Sequence, residues 1–386
     1  MQGGNDAINW RTLIAACAAV CVFAFSLGEI FPLLSLNMEG WGTSAHVIGL
    51  NSSMAPVGIL LAGLVIPKLS HTFGPKSVAI FMAALTGVIF LAYPTFPNLP
   101  SWFVLRLIQG ISVSTLFALS EAWVLGSATG KSRGIVVGIY ATCISATFGV
   151  GPAVVGWAGI HGYLPFVIGA VILFIAILPI TLVKPKKATV EHEHVSMLRF
   201  LPKAPLLLTA ICVHAMFDGG MLSFLSVYGV KMNMSVESAA LTLTALSFGN
   251  VFFQIPIGWI ADRTSKRGTI IACFITAAIG LAILPFVVMT IWVWPLLPVL
   301  GAAGFGIYTV GLAELGDRFS GADLIAGTSS FAAMWGMGSL IGSIICGLAM
   351  DIAGPHGFPG ILLIVFTLYL VAQAIRMRKI RVARAG

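Results

Sequence analysis

The sequence predicts an all-α membrane protein of twelve transmembrane helices, arranged as two six-helix halves related by pseudo-two-fold symmetry. Three observations predict it: an apolar composition cut into span-length stretches, a one-sided distribution of bases, and an internal repeat of glycines. Hydrophobic residues make up 58% of the 386 and charged residues 9%, against about 25% charged in an ordinary soluble domain. A water-soluble fold is therefore excluded. Apolar stretches lie near 12–36, 45–66, 77–95, 102–126, 134–158, 163–183, 205–229, 238–261, 269–291, 294–316, 324–350 and 359–375. Each is long enough to cross, because about 20 helical residues match a hydrocarbon core of roughly 30 Å.

The bases orient the array. Of the 21 Lys and Arg residues, all but Lys231 and Arg106 fall in segments on one side if the stretches cross in series. The positive-inside bias puts that side in the cytoplasm, with both termini and the basic segment after Lys184. The expected location is the plasma (bacterial inner) membrane, multi-pass; inverting the topology would break the bias almost completely. The net charge of +8 then faces anionic inner-leaflet lipid, so the lipid bilayer is an expected partner and nucleic acid is not. The first stretch is too long for a signal-peptide core and lacks a small-residue cleavage site before further spans follow. It is expected to be retained as helix 1. All six cysteines lie inside apolar stretches, without a Cys-x-x-Cys, and read as small packing residues with no disulfide framework.

Displacing the chain against itself by 191 residues pairs Gly28 with Gly219, Gly58 with Gly249, Gly110 with Gly301, Gly130 with Gly321, Gly151 with Gly342, Gly156 with Gly347 and Gly169 with Gly360. Random placement of the 43 glycines would give roughly two such pairs, so the repeat is real. The boundary falls in the polar segment with Lys-Pro-Lys-Lys and Glu-His-Glu-His. This divides the chain into an N-terminal six-helix bundle 1–183, a cytoplasmic linker 184–203 and a C-terminal six-helix bundle 204–386. Duplicated halves around a midplane site are the architecture of secondary transporters.

Gly258-Trp-Ile-Ala-Asp262-Arg263-Thr-Ser-Lys266-Arg267, between helices 8 and 9, resembles the Gly-x-x-x-Asp-Arg-x-Gly-Arg-Arg signature of the major facilitator superfamily, with Ser265 in place of the second glycine. The resemblance rests on three motifs and covers essentially the whole chain. The matching loop between helices 2 and 3 keeps Gly74 and Lys76 but has His71 and Thr72 for the Asp-Arg pair. Arg106-Leu-Ile-Gln109-Gly110 in helix 4 matches Arg-x-x-Gln-Gly, which the resemblance associates with proton coupling. Gly149-Val-Gly151-Pro152-Ala-Val-Val-Gly156 in helix 5 is similar to the Gly-Pro-x-x-Gly-Gly run of superfamily antiporters, with Val155 for one glycine. The resemblance tilts the direction toward efflux. Glu121-Ala122-Trp123 is similar to the Glu-Ser-Trp triplet of a poorly characterised bacterial branch, departing from it at Ala122.

The residues give these motifs physical content. An Asp at a helix end can pair with bases or with a neighbouring helix N-terminus, making a reversible latch. Asp262 with Arg318 is the expected pair, Arg263, Lys266 and Arg267 completing the gate; plain positive-inside anchoring explains the bases but does not require Asp262. Arg106 within a span costs about 2.5 to 3.5 kcal/mol on insertion scales, so it needs a cavity or a partner. Glu29 is the expected partner, either for coupling or as a structural ion pair. In helix 5 the glycines allow close contact and Pro152 a kink, whether as a hinge or as ordinary packing.

Charged residues inside the spans are confined to Glu29, Arg106, Glu121, Asp218 and Glu314, on helices 1, 4, 7 and 10. The resemblance implies that these helices line the central cavity. Asp218 is near the midplane of helix 7, and His214 shares its face, a pair suited to handing over a proton near neutral pH; a satisfied polar contact is the alternative for each. Glu121 and Glu314, at inner helix ends, are expected gate partners for loop bases. Phe117, Tyr140, Tyr308 and Trp335 are candidate cavity aromatics. The Glu191–His194 run reads as a solvated tract, not a metal site.

No nucleophile-elbow, zincin or phosphate-loop pattern occurs, so an enzyme is not expected and transport would run on an ion gradient, not ATP. The expected function is proton-coupled transport by alternating access, with efflux of a small organic or cationic compound, as a monomer with no cofactor or metal. The small-molecule substrate and protons are its expected partners. Asp218 and Glu29 would bind the proton or cation and Arg106 would couple it. Uptake of a small organic anion or nutrient anchored by Arg106 is the alternative. A non-transporting sensor or assembly factor is a second, supported only by His71 and Thr72 and opposed by the retained intramembrane charges.

Overall fold

A computed structural model describes residues 8–127, 133–181 and 200–385. The twelve expected spans are present as twelve helices long and apolar enough to cross a membrane. They are α1 (Trp10–Gly40), α2 (Ala45–Phe73), α3 (Pro75–Thr95), α4 (Leu99–Gly126), α5 (Arg133–Ala158) and α6 (Leu164–Ile175), the last extended by a short helix Ile177–Thr181. There follow α7 (Pro205–Lys231), α8 (Val236–Arg263), α9 (Lys266–Val287), α10 (Val293–Arg318), α11 (Gly321–Ala353) and α12 (Gly357–Ala385). Among the described residues there is no strand. Within hydrocarbon only helices satisfy every backbone polar group inside one segment.

The helices start where short polar side chains take up the first free N–H groups. Asn9 accepts from the Thr12 amide at 3.2 Å, and Asn98 accepts from the Ser101 amide at 3.0 Å. Ser265 departs from the superfamily glycine and begins α9 instead, accepting from the Gly268 amide at 3.2 Å. Its own φ of −148° needs no glycine, whereas Gly74, in the matching loop, has φ 79° and does.

The chain forms two compact units. The first takes the described residues of Met1–Trp41 and Asn51–Glu191, together with Val236–Thr244. Its interior is the contact of α1 with α5 and α4, tightened where a side chain on Gly28 would strike the Phe148 carbonyl and one on Gly151 the backbone of Glu29. Gly58 and Gly110 bring α2 onto α4 in the same way. The second unit takes Gly42–Leu50, the described residues of His192–Ser235, and Ala245–Gly386. Here α7 packs on α11 with Gly219 against Ser339, and α8 on α10 with Gly249 against Pro298 and Gly301 against Leu246. Without water to drive helices together, close van der Waals packing at small residues does so.

The linker tract Glu191–His194 and the base Lys131 lie outside the described residues. Gly149 and Gly156, expected as packing elements of α5, do contact α8 within the first unit: the Gly149 carbonyl accepts from Thr244 Oγ1 at 3.0 Å, and Gly156 abuts Leu241 and Glu237. Pro152 lies inside an unbroken α5.

Candidate transport site

In the first unit Glu29 and Arg106 are buried but separate, and Glu121 is exposed. Arg106, 1% exposed, lies with its guanidinium carbon 3.8 Å above the Phe31 ring and interacts with the Tyr93 hydroxyl. Tyr93 donates to Gln109 Oε1 at 2.8 Å, which ties both motif residues of α4 to α3. Arg106 Nε and Nη1, Gln109 Nε2 and both amide atoms of Asn51 have no hydrogen-bond partner among the described residues. Asn51 stands one turn before Ala55 in α2, as Arg106 stands one turn before Gly110 in α4, and Ala55 and Gly110 touch. Arg106 and Gln109 thus keep buried donors to spare among the described residues.

The expected ion pair between Glu29 and Arg106 is not formed. Both Glu29 oxygens lack a hydrogen-bond partner among the described residues, and the carboxyl is turned toward Gly169 of α6 and Phe90 of α3. The reason is helical direction. Gly28 and Glu29 face α5 where Gly151 allows contact, and the next open space for the carboxyl is over a glycine of α6, away from α4.

In the second unit Asp218 is 6% exposed and accepts a hydrogen bond from Trp335 Nε1 of α11 at 2.8 Å. No cationic side chain pairs with it among the described residues. His214 shares the helix face but not the bond: its Nδ1 lies 2.9 Å from the Gly304 carbonyl of α10, and its ring meets Phe305 and Tyr308. A direct proton relay between His214 and Asp218 is therefore not assembled in this arrangement. Trp335, read as a cavity aromatic, is the orienting partner of the carboxylate.

The charged loop between α8 and α9 also departs from expectation. Asp262 pairs with Lys266 at 3.7 Å, and Lys266 is shared with Asp317 at the end of α10. Arg318 pairs with Glu314 at 3.0 Å, one turn away on its own helix, so the expected Asp262–Arg318 bridge is replaced by two shorter connections. A same-helix partner at i, i+4 needs no rearrangement of the loop. Arg263 stacks 4.1 Å over Trp259, and Arg267 donates to Gln373 of α12 at 3.1 Å. Arg267, Glu314, Arg318 and Gln373 line a cavity of about 70 Å³, so the structure gathers three of the gate candidates there. In the first unit Glu121 lies on α4 near Tyr140, whose hydroxyl is 2.7 Å from Ser120 Oγ.

Tyr93, Asn51 and Gln373 were not singled out by sequence. An uncharged polar residue in a span gives no signal of its own until the fold shows which charged group it meets.

A family model for the Major Facilitator Superfamily matches residues 14–313 and 207–384. The uncharacterized MFS-type transporter YfkF of Bacillus subtilis (strain 168) is 25% identical over 345 residues, 86% of this chain and 87% of that one. The uncharacterized MFS-type transporter YcaD of Salmonella paratyphi B (strain ATCC BAA-1250 / SPB7) is 23% identical over 302 residues, 76% of each. The solved nucleoside transporter NupG superposes with a TM-score of 0.75 at 14% identity, covering 96% of this chain and 98% of that one. A D-xylose-proton symporter gives 0.77 at 16% identity, covering 96% and 97%. At such identities the structures establish the fold alone, two-halved and all-helical. With the family match spanning nearly its whole length, the chain belongs to the Major Facilitator Superfamily of secondary transporters.

Proposed function

We propose that this protein is a proton-coupled transporter working by alternating access, exporting a small organic or cationic compound, with Asp218 as the residue that binds the proton or the cation. The observation that carries the reading is the environment of Asp218: a buried carboxyl at mid-helix in α7, held by one neutral donor, Trp335, and by no cationic side chain among the described residues. An uncompensated charge inside a span costs several kcal/mol, so the carboxyl is at ease only when a proton or a bound cation neutralises it. Exchange of one for the other is the elementary step of antiport. A fold neighbour, the D-xylose-proton symporter, offers a precedent for the ion. Glu29, buried without a hydrogen-bond partner among the described residues, is a second carboxyl able to hold a proton, and Arg106 with Gln109 couples its unit to the cycle.

In this reading the moving bodies are the bundles 1–183 and 204–386, joined by 184–203. The pairs Asp262–Lys266–Asp317 and Glu314–Arg318, with Arg263, Arg267 and Glu121, form the inner gate. The protein acts as a monomer in the inner membrane with both termini cytoplasmic.

The test is proton release from purified, detergent-solubilised protein on adding a panel of lipophilic cations and small organic acids. Release triggered by a cation and lost in Asp218→Asn supports export through Asp218. The second reading, uptake of a small organic anion, is favoured by the unpartnered Nε and Nη1 of Arg106. It predicts no release with any cation, and binding of an acid abolished by Arg106→Ala but retained in Asp218→Asn.

A further inference from the structure

Six cysteines are distributed over five helices, yet three of them meet. Cys17 and Cys21 are one turn apart on α1, and the thiol of Cys143 on α5 interacts with both. Thr147, one turn after Cys143, donates from Oγ1 to Cys21 Sγ at 3.2 Å and fixes the register of the two helices there. That register follows from the crossing at Gly28 against Phe148 and Gly151 against Glu29, which brings the preceding two turns of α1 and α5 side by side. The three thiols are each partly exposed, whereas Cys273 and Cys346 are buried, and neither these nor Cys212 has another cysteine beside it among the described residues.

Among the described residues no group of three His, Cys, Asp or Glu side chains is set to hold a metal ion. Cys143 sits between the other two, so the arrangement suits a ligand that takes two sulfurs at a time. Two such pairs share Cys143, which lets a ligand pass from one to the other by thiol exchange. The charge of the product selects the ligand further. A soft monovalent cation held by two thiolates leaves a net negative charge within the spans, which is costly there. A soft divalent cation or a trivalent organoarsenical leaves none, and only the arsenical brings an organic group into the spans. Two residues after Cys21, Phe23 packs its half-buried ring on Phe117 of α4, 4.8 Å between centroids, so the same stretch of α1 carries an apolar surface for an organic group.

We propose that Cys17, Cys21 and Cys143 form a dithiol capture site for a trivalent organoarsenical, Cys143 pairing with either residue of α1. In the step, R–As(OH)₂ reacts with two cysteine thiols. Two As–O and two S–H bonds break, two As–S bonds form, and two waters leave. Arsenic stays trivalent, and no oxidant or reductant is needed. The site is independent of Asp218 and of any proton gradient.

The probe is phenylarsine oxide, which hydrates to the dihydroxy form, added to the full chain purified in detergent. Intact-mass measurement should show one phenylarsenic group per chain, less two hydrogens. Thiols open to alkylation after denaturation should fall by two from six, to four. Cys143→Ser and the double variant Cys17→Ser/Cys21→Ser should lose the adduct. The single variants Cys17→Ser, Cys21→Ser and Cys212→Ser should keep it, as should Asp218→Asn, and a dithiol such as 2,3-dimercaptopropanol should reverse it. Each variant is accepted only if monodisperse in size exclusion, with Cys143→Ala as the substitute if Cys143→Ser is not. An adduct that survives loss of Cys143, a count that falls by one, or no adduct with the wild-type chain overturns the proposal.

Discussion

The two units use the same backbone contacts and carry different polar groups on them. Gly28 meets Phe148 in the first unit, and Gly219 meets Ser339 in the second; both members are displaced by 191 residues. The pair Gly58 and Gly110 recurs as Gly249 and Gly301, each pair joining the equivalent helices. Gly156 abuts Glu237, and Gly347 abuts His46, again at the same displacement. Upon this shared frame the first unit holds Arg106, Tyr93, Gln109 and an unpartnered Glu29, and the second holds Asp218 with Trp335 and His214 with Gly304. Close approach of backbones is a steric requirement that both copies must meet, so it persists after duplication. A side chain aimed into a gap is under no such constraint, and the two units have diverged there.

The largest effect is expected where the units differ in function. Asp218→Asn should abolish substrate-driven proton release, while Glu29→Gln should leave folding intact and thermal stability unchanged or raised, because it removes a buried charge that has no hydrogen-bond partner among the described residues. Equal loss of release in both variants would erase the functional distinction between the units. Next come the shared contacts. Gly28→Val and Gly219→Val should each destabilise by about 1 to 3 kcal/mol or prevent folding, since the added atoms meet backbone that cannot give way. Thermal unfolding followed by size exclusion reads this, and a loss in one variant only would break the symmetry argument.

A third comparison concerns the ends of the helices. In the second unit Asp351 accepts from the amides of Ala45 at 2.8 Å and His46 at 3.0 Å and lies 2.7 Å from His46 Nδ1. The position 191 residues earlier is Ile160, whose carbonyl accepts from Asn37 Nδ2 at 2.9 Å. Asp351→Asn should cost about 1 kcal/mol, more at low salt, because a carboxylate at a helix N-terminus is lost. Asn37→Ala should cost a similar amount with no salt dependence, as a neutral bond does. Unfolding midpoints at two ionic strengths separate them. The smallest effect belongs to the exposed gate pairs: Arg318→Ala should change stability by under about 1 kcal/mol, as surface ion pairs do. A larger loss would mean that Glu314 depends on Arg318 for more than a local pair.

Much of the frame was legible in the sequence. Length and polarity alone delimit twelve spans, since the hydrocarbon core accepts little else, and a glycine that lets backbones touch is visible because the repeat marks it twice. The buried charges Asp218, Glu29 and Arg106 were legible as well, being rare and costly in a span. Their partners were not. Arg106 was expected on Glu29, and the structure gives it Tyr93 and Phe31. Asp262 was expected on Arg318; instead Asp262 meets Lys266 across the loop, and Arg318 meets Glu314 one turn away on its own helix. Spacing along one helix says which face a side chain occupies, but not which residue of another helix stands opposite.

The cysteines show where the division falls. Sequence places all six in apolar helices and reads each as a small packing residue. Only the crossing of α1 with α5, set by Gly28 and Gly151, decides that Cys143 comes between Cys17 and Cys21 while Cys212, Cys273 and Cys346 stay apart. Partition between water, lipid and protein is a property of composition summed over a segment, and the sequence determines it by itself. Which side chains meet depends on the rotation and depth of packed helices, and only the tertiary structure decides that.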